Sequence, residues 1–286
     1  MAWDSHVYSR GRLTRIGARV ELGVLGQLQV IADGRELPLG SFQQRALLAL
    51  LVIHVGEPVS RDRLVDELWG ERPPPSAAHA VQVYVSGIRK SLRGCPVQVR
   101  SAGSGYLLEV DKDCIDAVRF ERLVGEAQRL VAEDPSAARG LFEQALGLWR
   151  GPPLSEFSDL DFARQEADRL QELHMVALEG LVEARLAAGE HAEVIGQVTG
   201  LAAANPLRER PRRLLMLALY RSGRHAEALS VYRDAVAAFD EIGLQPGPEL
   251  RALEEAILRH DPSLGGGDTG PVEAFAGSER RQPADG

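Results

Sequence analysis

The stretch Ser76–Gly94, SAAHAVQVYVSGIRKSLRG, gathers side chains suited to recognition chemistry. His79, Gln82, Ser86, Lys90 and Arg93 supply hydrogen-bond donors, acceptors and positive charge, with Val83 and Gly87 between them. On a helix that advances ~100° per residue from Val81, the positions of Val85, Ile88 and Leu92 fall within about 40° of zero. The seven other residues fall between about 100° and 240°, on the far side. One face is therefore built to dock on neighbouring helices, and the other meets water or a ligand. An ordinary solvated face is the plainer reading. Context favours a ligand: two helices precede this one, a hairpin follows, and the only lysine of the first 110 residues stands mid-face. An α-helix fits the major groove of B-DNA, where short polar and basic side chains reach base edges and phosphates.

Elsewhere the chain offers little chemistry. Its two cysteines, Cys95 and Cys114, form no CxxC and have no histidine at metal-ligand spacing, so neither zinc nor a disulfide framework is expected. His191 and His225 recur within an internal repeat, which suits helix–helix contacts better than ligation. Aspartates and glutamates sit at solvated-face spacings. With no nucleophile-and-base pattern, metal signature or glycine-rich phosphate loop, the expectation is no catalytic residue, no metal, no cofactor and no enzyme.

Of 286 residues, 44% are hydrophobic and 26% charged, which suits a globular chain of two domains. No apolar run approaches the ~20 residues that span a bilayer. The first 20 residues carry arginines without the apolar centre of a signal peptide, so a cytoplasmic protein with no membrane contact is expected. The net charge of −8 is unevenly spread: residues 1–110 hold 13 Arg or Lys against 10 Asp or Glu, and the rest hold 20 against 31. A mildly basic front and a strongly acidic back suggest two jobs.

The elements that must position the candidate face follow from local signals. Arg19 to Leu39 holds short β-prone runs around ADGR, a hairpin signal with Gly34 suited to positive φ. Ser41 and Gln44 form an S-x-x-Q capping box that opens a helix closed near Gly56. Ser60, with Asp62 behind it, opens a second helix ended by Gly70, and Pro73, Pro74 and Pro75 forbid helix until Ser76, which can cap the third. Val97–Arg100 and Tyr106–Val110 read as strands around a glycine-rich turn. From about Asp116 to His260 the pattern is helical. Within it AGEHAEV (Ala188–Val194) and SGRHAEA (Ser222–Ala228) recur 34 residues apart, the period of tetratricopeptide-type helix pairs. Residues after Leu264 show no periodicity and are expected to be disordered.

VQVYVSGIRKSL followed by GSGYLL resembles the third helix and wing of the OmpR-type winged helix. RALLALL, VSRDRLVDELWG and YVSGIRKSL together resemble the Streptomyces antibiotic regulatory protein family. In the back half, RFERLV, ALGLWRGPPL, LRERPRRLLMLALYRSGRHAEALSVYRDA and IGLQPGPELRALEEAIL are similar to that family's bacterial transcriptional activation domain. The resemblance covers about residues 19–260. It implies a mainly α fold: an arm (1–18), a winged helix-turn-helix with small antiparallel sheets (19–111), an all-α tetratricopeptide-like activation domain (114–262) and a tail (263–286).

The resemblance implies an activator of a secondary-metabolite gene cluster that binds double-stranded DNA at direct repeats, as a dimer or as tandem protomers, and recruits RNA polymerase holoenzyme. It directs His79, Val83, Ser86, Gly87 and Lys90 toward the major groove and Arg89 and Arg93 toward phosphate, with Gln82 also expected to bind DNA. Arg100 and Tyr106 fall in the wing, Trp69 is a phosphate donor or a core aromatic, and Glu71, Arg72, Pro73, Pro74 and Pro75 face polymerase. Two departures stand out. Gly87 occupies a position where the family commonly has arginine, and the SAGSG wing has no arginine at its tip, so base readout is expected to be weaker or to depend on a partner. No P-loop occurs and no receiver domain precedes the sheet, so control by nucleotide or by receiver phosphorylation is not expected. The competing class is an interaction protein whose repeats capture a peptide or effector and whose winged helix is a protein contact.

Overall fold

The computed structural model describes residues 20–265; the expected N-terminal arm and all of the expected tail but residues 263–265 lie outside them, and Ser263 and Leu264 belong to a short 3-10 turn, Pro262–Leu264. The described residues divide into two compact units, 20–130 with 137–180, and 131–136 with 181–265.

The first unit opens with a three-stranded antiparallel sheet, β1 (Val20–Gly23), β2 (Gln29–Ala32) and β3 (Arg35–Glu36), in sequential order. The β2–β3 turn places Asp33 and Gly34 at φ 50° and 76°, the left-handed geometry expected of ADGR. Three helices follow: α1 (Phe42–Ile53), α2 (Arg61–Trp69) and α3 (Ala77–Ser91). Both halves of the Ser41/Gln44 capping box are present on α1, and the Ser60 hydroxyl caps α2 by accepting from Arg63 N–H.

Ser76 departs from expectation. It is the first boundary residue of α3, but its hydroxyl makes no capping bond. Its φ of −95° and ψ of 11° lie outside the extended region in which a hydroxyl folds back over the first turn. Backbone does part of that work instead, with Ala77 N–H donating to the Pro74 carbonyl at 2.9 Å.

Strands β5 (Gln98–Ala102) and β6 (Gly105–Glu109) form the wing, and the two-residue strand β4 (Val59–Ser60) joins them in the order β4-β6-β5. Gly105 is required at that junction, because a Cβ there would lie 1.8 Å from the Val59 carbonyl oxygen. Leu47, Leu50 and Leu51 of α1, Leu64 of α2, Val81, Val85 and Ile88 of α3 and Leu108 of β6 are buried together with Leu92 just past α3. At about 1.5–3 kcal/mol per buried side chain, the α3 stripe offsets part of the cost of ordering that helix, and the rest comes from its backbone hydrogen bonds and further packing.

The same unit continues into α4 (Asp116–Leu130), α5 (Pro135–Leu146) and the first part of α6 (Asp161–Ala187). Phe120, Phe142 and Phe157 are its largest fully buried rings. Gly180 allows close approach to α5, since a Cβ there would stand 2.3 Å from Phe142 Cζ.

In the second unit, α7 (Ile195–Ala204), α8 (Glu209–Arg221), α9 (His225–Asp240) and α10 (Pro248–Leu258) follow the end of α6. α8 packs on α7 and α9, and α10 on α8 and α9, around Val198, Leu214, Met216, Leu219, Phe239 and Leu250. The repeat glycines, Gly189 and Gly223, both reverse the chain at positive φ (87° and 75°). The repeats then differ: His225 begins α9 directly, whereas His191 lies in a turn ahead of α7.

Candidate nucleic-acid interface

Helix α3 is amphipathic in space as in sequence. Val81, Val85 and Ile88 are buried on one side, while His79, Gln82, Val83, Ser86, Lys90 and Arg93 are all exposed on the other. Val83 is half-exposed at 50%, an apolar position amid polar neighbours. His79, Val83, Ser86 and Lys90 follow one another at helical spacings of four, three and four, so they form a single ridge along the helix.

Gly87 does not lie open on this face. A Cβ at Gly87 would fall 2.0 Å from the Gln44 side-chain nitrogen, so the Gln44 carboxamide of α1 fills the space that a side chain at 87 would take. The partner lies 43 positions earlier, beyond the reach of any local pattern.

Arg89, expected near phosphate, is turned to the wing. Its Nε donates to the Val99 carbonyl at 2.8 Å and its Nη2 to Ser101 Oγ at 3.1 Å, while the guanidinium sits 5.8 Å from the centre of the Tyr106 ring. Tyr106 is only 8% exposed, so it is a core residue of the wing beneath Arg89 rather than an open contact. Together they fix the wing against α3.

On the far flank of the turn, Arg61 Nε donates to the Ser104 carbonyl at 2.9 Å. An exposed arginine from α2 thus sits beside a wing tip that has none of its own, a position that no local sequence signal marks. Arg100 is exposed and pairs with Glu109 at 3.2 Å, a bond that screening makes weak. Trp69 is half-buried and stacks on Tyr84 with ring centres 6.2 Å apart, which fits the core-aromatic alternative. Glu71, Arg72, Pro73, Pro74 and Pro75 are exposed throughout, on the loop between α2 and α3.

The β1–β2 connection is held by acids from later in the same unit. Asp116 is 5% exposed and accepts from the Val24 and Leu25 amides at 2.8 and 3.1 Å, and Arg150 Nη2 donates to it at 3.2 Å. Glu156 accepts from Leu28 N–H at 3.1 Å and from Arg45 Nε of α1 at 2.7 Å. Leu22 and Ile115 add a parallel β-bridge. The helix bundle that carries α3 is thereby fastened to α4 and to the segment before α6.

Burial pushes the Cys95 and Cys114 thiols up, as expected of inert structural cysteines. Burial and then the Arg63 guanidinium hold His54 below the usual histidine range, and burial lowers His174 beside Trp149. Among the described residues, no group of three or more His, Cys, Asp or Glu could hold a metal ion. No helix among them is long and apolar enough to cross a membrane.

Comparison with known proteins matches this arrangement. A family model described as Transcriptional regulatory protein, C terminal, matches residues 34–108, and one described as Bacterial transcriptional activator domain matches residues 115–258. Regulatory protein AfsR of Streptomyces coelicolor is 42% identical over 248 residues, covering 86% of this chain and 25% of AfsR. Transcriptional regulator RedD of the same organism is 40% identical over 259 residues, 88% of this chain and 74% of RedD. Regulatory protein DnrI of Streptomyces peucetius is 33% identical over 258 residues, 86% of this chain and 94% of DnrI. The chain thus spans a quarter of AfsR but nearly all of DnrI. The solved structure of Mycobacterium tuberculosis EmbR in complex with a low affinity phosphopeptide superposes with a TM-score of 0.82 at 36% identity, covering 86% of this chain and 66% of EmbR. With the two domain types in this order and relatives matched along most of its length, the chain belongs to the Streptomyces antibiotic regulatory protein family of transcriptional activators.

Proposed function

We propose that the chain binds duplex DNA through the open face of α3 and the braced wing, and that it activates a secondary-metabolite gene cluster by recruiting RNA polymerase holoenzyme. The observation that carries this reading is the uncommitted ridge His79–Val83–Ser86–Lys90, with Gln82 and Arg93 beside it, opposite a fully buried stripe. A helix so displayed fits the major groove, and Lys90 and Arg93 supply phosphate neutralisation. Protomers bind direct repeats about one helical turn apart, which sets them on one side of the duplex as a dimer or in tandem. The exposed Glu71–Pro75 loop and the acidic second unit are then the surfaces offered to polymerase and to neighbouring protomers. The chain acts by binding, with no catalytic step and no cofactor.

The test is a footprint of the full chain on genomic fragments across a salt series, with Lys90→Glu beside it. Protection of spaced direct repeats is expected, with a log–log salt slope that is shallower in the variant by about 0.9 for each phosphate it no longer neutralises. Unchanged affinity of Lys90→Glu would remove α3 from the interface. Protection of a single palindrome would overturn the tandem arrangement.

A further inference from the structure

Gln44 uses the two ends of its side chain differently. Its Oε1 accepts from Ser41 N–H at 2.8 Å and closes the capping box of α1. The carboxamide lies across two glycines: a Cβ at Gly40 would fall 1.8 Å from Oε1, and one at Gly87 would fall 2.0 Å from Nε2. Gly40 is already favoured by its φ of 86°, but Gly87 has no such backbone reason, and there the carboxamide passes where a side chain would begin. The Nε2 has two N–H groups, makes no hydrogen bond to another described residue and is not among the buried unpaired atoms, so it is open to solvent.

Helix stability alone does not select this residue. Glutamate would close the same box, and its charge would be favoured by the positive end of the helix dipole. Yet the first turn of α1 holds no acidic residue. Glutamine keeps the acceptor that the cap needs and replaces a carboxylate oxygen by a donor, which suits a surface that approaches a polyanion. Position 87 lies at the rim of the open face of α3, about 40° around the helix from Val83. The Gln44 nitrogen therefore stands where a side chain from that rim would project.

We propose that Gln44 is a DNA-reading residue that replaces residue 87: its Nε2 donates to the N7 of a purine in the major groove. N7 is an acceptor on both adenine and guanine, and the proposal rests on the reading that α3 enters that groove.

The test uses the full chain and duplexes selected by it from a random-sequence pool, with each purine singly replaced by its 7-deaza analogue. Wild type is expected to lose about tenfold in affinity at one purine per repeat that Gln44→Glu ignores, while the other sensitive purines weaken both proteins alike. Gln44→Met, which removes the donor without adding charge, is expected to ignore the same purine; thermal melting of each variant reports the cap. Identical 7-deaza profiles for wild type and both variants would overturn the proposal while leaving the DNA reading intact. Failure to select any duplex would instead overturn the underlying reading, and the proposal with it.

Discussion

Asp116→Ala is expected to cost this protein about 3–5 kcal/mol, a large part of a domain's stability. The carboxylate is 5% exposed and accepts four bonds that divide evenly between its oxygens. Oδ1 takes the Val24 and Ala117 amides, and Oδ2 takes the Leu25 amide and Arg150 Nη2. Val24 and Leu25 are themselves buried, at 2% and 0% exposure, so alanine leaves two amides with no route to water, at about 1–3 kcal/mol each. The Arg150 bond adds less, because that side chain is 34% exposed and screened. Asp116→Asn is the finer probe. Its amide oxygen can keep one pair of donors, but its nitrogen then faces the other pair, so it is expected to cost nearly as much as alanine. The assay is equilibrium denaturation of the full chain, followed by circular dichroism, with hydrogen exchange resolved at the 24–28 segment. A destabilisation below about 1 kcal/mol, or unchanged protection of the Val24 and Leu25 amides, would refute the fastening role.

Gly105→Ala is expected to destabilise by about 3 kcal/mol or more, because the backbone carbonyl of Val59 occupies the place of the new Cβ and cannot yield without breaking the β4–β6 pairing. A melting temperature within a few degrees of wild type would contradict this. Acidification is expected to weaken the fold. His54, His174 and His191 are all held below the ordinary histidine value, chiefly by burial, so the unfolded chain binds protons first. The contribution of these residues is complete above about pH 6.5 and is lost as pH falls through the lowered native values. Melting at pH 7.5 and 5.5 checks the sign, and His174→Phe should narrow the gap; an unchanged gap would exclude His174.

Much of the fold was legible because its signals are local. The Ser41/Gln44 box, the Ser60 cap, the Asp33–Gly34 turn and the 3.6-residue stripe of α3 each depend on residues a few positions apart. What escaped depends on distance. The β4 strand has only two residues, Val59 and Ser60, and exists because Tyr106 and Gly105 of β6 pair with them from the far side of α2, α3 and β5. Asp116 reads in sequence as one more solvated acid among Asp111 and Asp113, and its partners lie 91 and 92 positions away. Arg89 is expected toward phosphate, and helical phase alone cannot reveal that the Val99 carbonyl lies beside it. Ser76 has the right residue type but not the backbone angles that a cap requires.

The shared slot over Gly40 and Gly87 bears on how such a surface changes over generations. The carboxamide from α1 occupies the place where a side chain on α3 would begin, so a residue at 87 enters only as the flexible end of Gln44 swings away. A substitution at 87 displaces the carboxamide, and a truncation at 44 halves the cap. A change at either position is therefore felt at the other. Target preference at this corner is therefore inherited as a coupled pair.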